Sequence, residues 1–145
     1  MMTEIHPITE ADIPDVLQMI RGIAAYHGDE ALITAADLRR DAFGPNPWLR
    51  VLVAKGQGYV ALIPLAQLQF GVRGIEIHHI FVKESARGRG VGRALINAAI
   101  EYAKGQEARY LSVGTHPDNL IAQDTYRAIG FDESPVAGPR FRMRW

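Results

Sequence analysis

The stretch His78–Ile100, HHIFVKESARGRGVGRALINAAI, decides the fold because within it a strand gives way to a helix. The run HHIFV is typical of a strand, and the run VGRALINAAI spaces its apolar residues as a helix does. Gly88, Gly90 and Gly92 fall between the two. Glycines at a helix start let an anion approach the unpaired backbone N–H groups and the positive end of the helix dipole. The stretch therefore predicts a site for a phosphate or pyrophosphate.

Positive charge surrounds this turn, because Arg87, Arg89 and Arg93 stand among its glycines. A Walker loop would need a lysine followed by serine or threonine, and the chain has Arg93 and Ala94 at those positions. A dinucleotide fingerprint would need its third glycine where Arg93 stands. Neither nucleotide motif fits, and the turn by itself leaves open a glycine-rich connection that binds nothing.

The strand before the turn, GIEIHHIFV, carries two adjacent histidines and a break in its pattern. Apolar residues alternate with Glu76 and His78, and the alternation slips by one position at His79–Ile80. A slip inside a strand is typical of a β-bulge, which turns side chains to new directions. Glu76 and His78 would then share one face of the strand. We expect His79 to point to the opposite face and to have a structural role.

The rest of the chain alternates helical and extended patterns, which indicates an α/β protein with one mixed central sheet. Thr9 and Thr34 each precede a helical run as capping residues. Pro64 predicts a bulge or a sheet edge, because proline cannot donate a ladder hydrogen bond. We predict the order β-α-α-β-β-β-α-β-α-β-β in a single domain over residues 1–145. The last two strands are expected after Gly130, at GF and in the terminal PRFRMRW.

Composition narrows the possible functions. The chain has 145 residues, with 16 basic and 16 acidic side chains, so bulk positive charge for nucleic-acid binding is missing. The lack of cysteine excludes disulfides, thiolate metal sites and a cysteine nucleophile. No apolar run approaches the roughly 20 residues of a membrane span, and we expect no secretory signal. We expect a cytoplasmic protein that binds neither nucleic acid nor membrane.

Two motifs carry a resemblance to a known family. VKESARGRGVGRALI resembles the signature of the GNAT superfamily of acyl-CoA N-acyltransferases, Arg/Gln-x-x-Gly-x-Gly/Ala, which falls on Arg87, Gly90 and Gly92. NLIAQDTYRAIGF resembles the second landmark of that family. Its matching positions are Asn119, Ala122, Tyr126, Gly130 and Phe131. The resemblance implies a GNAT-type fold, in which strands four and five of a single mixed sheet splay apart and about four helices flank them.

The resemblance also implies acetyl-CoA as cosubstrate, and no metal. The pantetheine arm would pair with the backbone of the fourth strand and enter the opening beside the fifth. The pyrophosphate would lie on the amides of the glycine turn, and Asn119 would touch the pantetheine arm. The residues expected to bind the cofactor are Ile80, Phe81, Val82, Arg87, Gly88, Arg89, Gly90, Val91, Gly92, Arg93, Asn119 and Ala122.

Acetyl transfer to an amine needs a base. A free alkyl amine has a pKa of about 10.4, so at neutral pH it is protonated and must lose a proton before it can attack. Glu76 and His78 are the candidates for that base, and the sequence leaves both open. The resemblance implies that Tyr126 is the general acid that protonates the departing sulfur of CoA. Each residue has a plain alternative. Tyr126 would pack in the core, Glu76 would be solvated, and His78 would only satisfy local hydrogen bonds.

The N-terminal half resembles the spermidine/spermine (diamine) acetyltransferase group, which implies a homodimer. That group carries Glu-Asp where this chain has His78 and His79, and Tyr-Glu where it has Tyr26 and His27. A polycation needs carboxylates to neutralise it. We therefore expect a small primary amine other than a polyamine, bound by Tyr26, His27 and His78. A protein or peptide N-acetyltransferase and a non-catalytic acyl-CoA-binding module are the alternatives.

Overall fold

The computed structural model describes residues 3–135 and 137–145, which fall into two compact units, Met1–Gly114 and Thr115–Trp145. The elements of the first unit are β1 (His6–Pro7), α1 (Ile13–Tyr26), α2 (Ala35–Ala42), β2 (Arg50–Ala54), β3 (Gly58–Gln67), β4 (Val72–Val82), α3 (Val91–Gly105) and β5 (Ala108–Val113). The second unit contains α4 (Leu120–Ile129). The prediction that residues 1–145 make a single domain stays a prediction.

One mixed sheet organises the first unit. Its strands follow the order β1-β2-β3-β4-β5. Neighbours from β1 to β4 pair antiparallel, whereas β4 and β5 pair parallel. A parallel pair needs a crossover connection, and α3 supplies it between β4 and β5. The predicted α/β class with a single mixed sheet is confirmed.

Thr34 is the N-cap of α2 as predicted, whereas Thr9 caps the short 3₁₀ turn that leads into α1. The Thr34 backbone N–H donates to Asp37 Oδ2 at 3.0 Å, and the Asp37 N–H donates to Thr34 Oγ1 at 3.2 Å. The Thr9 N–H likewise donates to Asp12 Oδ2 at 2.8 Å, and a short 3₁₀ turn precedes α1 there. These bonds satisfy amides that a helix start leaves unpaired. Burial raises the pKa of Asp12, but hydrogen bonds from Thr9 and His6 outweigh it and leave that pKa lowered.

Each face of the sheet is covered by helices. The odd-numbered residues of β2 and β3 pack with α1 and α2, and the even-numbered ones lie on the opposite face, towards α3. Side chains that anchor the α1 face include Val16, Met19, Val53, Tyr59 and Ala61. Buried residues of α3 include Val91, Leu95, Ile96, Ala99 and Ala103. Because buried side chains pack on both faces of the sheet, the strands, including β4 with its bulge, are held in place.

The predicted bulge is present in β4. Ala61 pairs with His79 and Leu62 pairs with Ile77, so His78 is the extra residue on the bulged strand. Pro64 pairs with β4 alone, because the pairing of β3 with β2 ends at Leu62. That is a local sheet edge, where proline is tolerated. Both predictions are confirmed.

The prediction of two further strands after Gly130 is wrong. The described residues from Phe131 to Trp145 include no strand. Alternation of arginine with Phe141, Met143 and Trp145 suits a strand, but these apolar side chains are all exposed in the structure. An alternating pattern stabilises a strand only when its apolar face is buried, and here it is not.

Candidate active site

The glycine turn before α3 has the geometry of an anion site. Gly88 and Gly90 have φ angles of 76° and 80°, a left-handed conformation that side chains disfavour. Gly90 is the N-cap of α3, and no side chain caps this helix start. The amides of the first turn of α3 are therefore free to bind a ligand.

The three arginines of the turn keep their charge available. Arg87, Arg89 and Arg93 are all exposed. Within the described residues none of them forms an ion pair with a carboxylate. Arg87 Nε donates to the Val82 carbonyl at 3.1 Å, which ties the turn to the end of β4. An anion at the start of α3 would meet uncompensated positive charge.

Strand β4 extends beyond the end of β5, which leaves an opening where the family resemblance implies one. Their pairing runs from Arg73 with Ala108 to Ile77 with Val113, and β4 then continues to Val82 without β5. The opening begins next to the bulge. A stretch of one strand edge therefore stays available to a ligand.

The antiparallel ladder tells which backbone groups face this opening. The Lys83 N–H donates to the Gln57 carbonyl at 2.8 Å, so these two residues form a hydrogen-bonded pair. Such pairs alternate with pairs whose polar groups point away from the partner strand. The N–H and C=O groups of Ile80 and Val82 therefore face the opening, whereas those of Phe81 face β3. Of the three strand residues expected to bind the cofactor, two offer backbone groups to it.

Helix α1 lies along the part of β4 that extends beyond its pairing with β5. A Cβ added at Gly22 would come within 3.0 Å of Phe81 Cζ, so a glycine allows this close approach. Lys83 Nζ lies 2.6 Å from Asp15 Oδ1. A depression of about 450 Å³ follows this line of contact, bordered by Asp15, Gln18, Met19, Phe81, Lys83 and Glu84.

The two strand histidines lie side by side. The rings of His78 and His79 stack with centroids 4.3 Å apart and planes 10° from parallel. The Tyr59 hydroxyl lies 3.2 Å from His79 Nδ1. The expectation that His79 points away from His78 is wrong, because the bulge adds a residue and brings consecutive side chains to one side.

His27 completes a group of three histidines with His78 and His79. Burial, together with the charges of His78 and His27, lowers the pKa of His79 to about 4. His79 is therefore neutral at pH 7. The Tyr26 ring lies 5.6 Å from that of His27 and is 68% exposed. The C-terminal end of α1 and the bulge of β4 thus bring together the residues predicted to bind the acceptor.

Glu76 lies one step before the bulge, half-buried between two strands. It pairs with Ile63 on β3 and with Ser112 on β5. Neither a hydrogen bond nor an ion pair holds its carboxylate within the described part of the chain. Ser112 Oγ is buried there without a hydrogen-bond partner. The Glu76 carboxylate is thus uncommitted, as a base requires.

Sequence reasoning missed the part of Tyr59 in this site. In sequence it is one aromatic residue of an alternating strand, which reads as core packing. Its 1% exposure agrees with that reading. Only the strand register shows that its hydroxyl reaches His79 across the sheet. No sequence signal separates this tyrosine from an ordinary core residue.

The second unit carries the remaining predicted residues. Asn119 caps α4, since its Oδ1 accepts from the Ala122 N–H at 3.1 Å. Tyr126 is half-buried, and its ring meets that of Phe131 at 5.7 Å. Gly130 ends α4 with a φ of 118°. Burial raises the pKa of Tyr126, so its hydroxyl holds a proton at neutral pH.

A model of the acetyltransferase (GNAT) family matches residues 17–131, and the chain belongs to that family. An uncharacterised N-acetyltransferase from Methanocaldococcus jannaschii is 46% identical over 68 residues, which cover 47% of this chain and 30% of that protein. The thialysine N-ε-acetyltransferase of Bos taurus is 30% identical over 135 residues, 83% of this chain and 79% of the relative.

Solved structures agree with the fold. A putative acetyltransferase from Agrobacterium tumefaciens superposes with a TM-score of 0.79 at 22% identity, covering 97% of this chain and 99% of the other. The predicted GNAT-type fold is confirmed. Within the described residues no group of side chains is arranged to hold a metal ion, and no helix is long and apolar enough to cross a membrane.

Proposed function

We propose that the protein transfers the acetyl group of acetyl-CoA to the primary amine of a small molecule that also carries a carboxylate, such as an amino acid. One observation carries this proposal. The unpaired edge of β4 leads from the histidine group to the uncapped start of α3. If acetyl-CoA lay along this edge with its pyrophosphate on the glycine turn, its thioester would be near the histidines.

The residues present suit acetyl-CoA. The N–H and C=O of Ile80 and the N–H of Val82 would hydrogen-bond to the amides of the pantetheine arm, while the Val82 carbonyl accepts from Arg87. The N–H groups of the first turn of α3 would hold the pyrophosphate, with Arg87, Arg89 and Arg93 adding positive charge. Bound acetyl-CoA supplies the thioester whose carbonyl carbon accepts the amine. Asn119 and Ala122 stay predicted contacts of the cofactor in the second unit.

The chemistry needs a proton acceptor and a proton donor. The amine nitrogen forms a bond to the carbonyl carbon, the bond from carbon to sulfur breaks, and the amine loses a proton. Glu76 or His78 would take that proton, directly or through water. Tyr126 would give a proton to the departing sulfur, since burial raises its pKa and keeps its hydroxyl protonated. Direct attack in a ternary complex fits this set, because the chain has no cysteine to carry the acetyl group.

The acceptor class follows from the charges near the bulge. His27, His78 and His79 stand where a polyamine site would present carboxylates. Neutral histidines do not compensate a polycation, and protonated ones repel it. Protonated histidines would instead attract a carboxylate on the acceptor. The Bos taurus relative, an acetyltransferase of thialysine, acts on an amino acid, which supports this choice.

A screen tests the proposal. The purified chain is incubated with acetyl-CoA and a panel of amino acids, monoamines, spermidine and peptides, and thiol release and product mass are measured. We expect release with at least one amino acid and loss of release in Gly90→Val. Release with peptides alone would make it a peptide acetyltransferase. Binding of acetyl-CoA without transfer to any amine would make it a binding module.

A further inference from the structure

We infer that His79 is a specificity-determining residue whose Nε2–H, held in place by Tyr59, binds the carboxylate of the acceptor. The inference rests on the proposed function. It proposes a role in substrate binding for His79, for which the sequence predicts only a structural role.

The tautomer of His79 follows from the Tyr59 hydroxyl. Burial raises the pKa of that hydroxyl, so it keeps its proton. His79 Nδ1, 3.2 Å away, is its hydrogen-bond partner within the described residues. Since buried hydroxyls pair their hydrogen, Tyr59 donates to Nδ1. The neutral imidazole of His79 then carries its own hydrogen on Nε2.

The opposite edge of the His79 ring is free. Its Nε2 has no hydrogen-bond partner in the part of the chain that the structure describes, although the residue is half-buried. Nε2 is not a buried unsatisfied atom, so solvent reaches it and the acceptor atom of a ligand can replace water there. His78 covers one face of the ring, so the ring cannot turn freely. His79 therefore presents a fixed donor beside a candidate base.

The groups around His79 favour a ligand that holds its carboxylate away from Glu76. His78 and His27 lie close enough to lower the pKa of His79, and each adds positive charge when protonated. Glu76 is the acid of β4 on this side of the bulge, and it would repel a carboxylate placed next to it. The carboxylate is therefore expected near His79 and the amine nearer Glu76 and His78. This separation matches an amine and a carboxylate on one small molecule.

Matched acceptors isolate the carboxylate. Each amino acid is paired with the amine that its decarboxylation would give: lysine with 1,5-diaminopentane, and phenylalanine with phenethylamine. The quantity measured is the ratio of kcat/KM for the amino acid to kcat/KM for the amine. The ratio does not depend on the fraction of active enzyme, so a partly unfolded variant still gives a valid value.

Three variants separate a donor from a packing role. His79→Phe keeps an aromatic ring against His78 and removes the donor. It should lower the ratio by about tenfold to a hundredfold, as expected for one hydrogen bond to a charged group. His79→Gln restores an N–H near the position of Nε2 and should stay within about threefold of wild type. Tyr59→Phe should lower the ratio less than His79→Phe, because the imidazole keeps an N–H in either tautomer.

The outcomes are distinct. An unchanged ratio in His79→Phe overturns the inference, as does an equal loss in His79→Phe and His79→Gln. A wild-type ratio near one overturns the inference and the carboxylate-bearing acceptor class, while acetyl transfer itself stands. A wild-type protein that acetylates no amine overturns the proposed function and this inference with it.

Discussion

His79 should make the fold sensitive to mildly acidic pH. Burial lowers its pKa to about 4 in the folded chain, against an ordinary value of 6.5. The unfolded state therefore binds more protons than the folded state, so the free energy of unfolding falls as pH drops from about 6.5 towards 4. Between pH 7.5 and pH 5 these values give a loss of about 2 kcal/mol. Because His79 is only partly buried, screening by solvent reduces the expected loss to about 1 kcal/mol.

Urea unfolding followed by circular dichroism at the two pH values measures this loss. Other groups also titrate, so the informative quantity is the pH-dependent change in wild type minus that in His79→Phe. We expect wild type to lose about 1 kcal/mol more than His79→Phe between pH 7.5 and pH 5. His116→Gln is the matched control, because His116 is exposed in the second unit, and it should behave as wild type.

Equal losses of stability in wild type and His79→Phe over this pH range would show that His79 does not have a lowered pKa in the folded chain. A difference of the opposite sign would mean that His79 gains a proton on folding. The denaturant slope should be equal at the two pH values, because a change in slope would report a change in the unfolded state rather than in His79.

Four further predictions concern other parts of the chain. Gly90→Val, strained at a φ of 80°, should abolish measurable acetyl-CoA affinity in calorimetry while the circular dichroism spectrum persists, and Gly105→Ala should bind normally; equal affinities would contradict the anion site. Tyr126→Phe should lower kcat by about 10²–10⁴-fold with cofactor affinity unchanged, and full activity would return Tyr126 to a packing role. Gly74→Ala should cost about 1–3 kcal/mol in urea unfolding, because its Cβ would run into the Tyr110 ring; a cost that persists in a Tyr110→Ala background would disprove this cause. Light scattering should give a homodimer, twice the chain mass of 16.0 kDa, and a monomer mass would refute the analogy with the polyamine group.

Local signals in the sequence predict much of the fold. Thr34 begins α2 and Thr9 begins the 3₁₀ turn before α1, because their capping bonds join residues three apart. The break in alternation at His79 predicts the bulge, since strand period and burial are tied together. Gly90 predicts the uncapped start of α3 because few other residues adopt its φ. These features depend on neighbours in sequence, which makes them readable.

Features that depend on distant partners were not predictable. The bond between Tyr59 and His79 needs the register of two strands, and a sequence does not fix that register to one residue. The predicted direction of the His79 side chain is wrong for the same reason. Moving a bulge by one position along a strand turns the next side chain to the opposite face. The terminal alternation ending at Trp145 predicted a strand, but a strand needs a partner edge and a buried face. Site roles for Glu76 and Tyr126 stay predictions.

Direct competition between acceptors measures which amine the protein acetylates. Spermidine, amino acids and monoamines are mixed with acetyl-CoA and the purified chain at a pH of about 7.5, where an ordinary histidine is neutral. Mass spectrometry of the products gives the relative kcat/KM of every acceptor in one vessel. The account predicts that an acetylated amino acid dominates and that spermidine is a poor competitor. Acetylspermidine as the main product would contradict it.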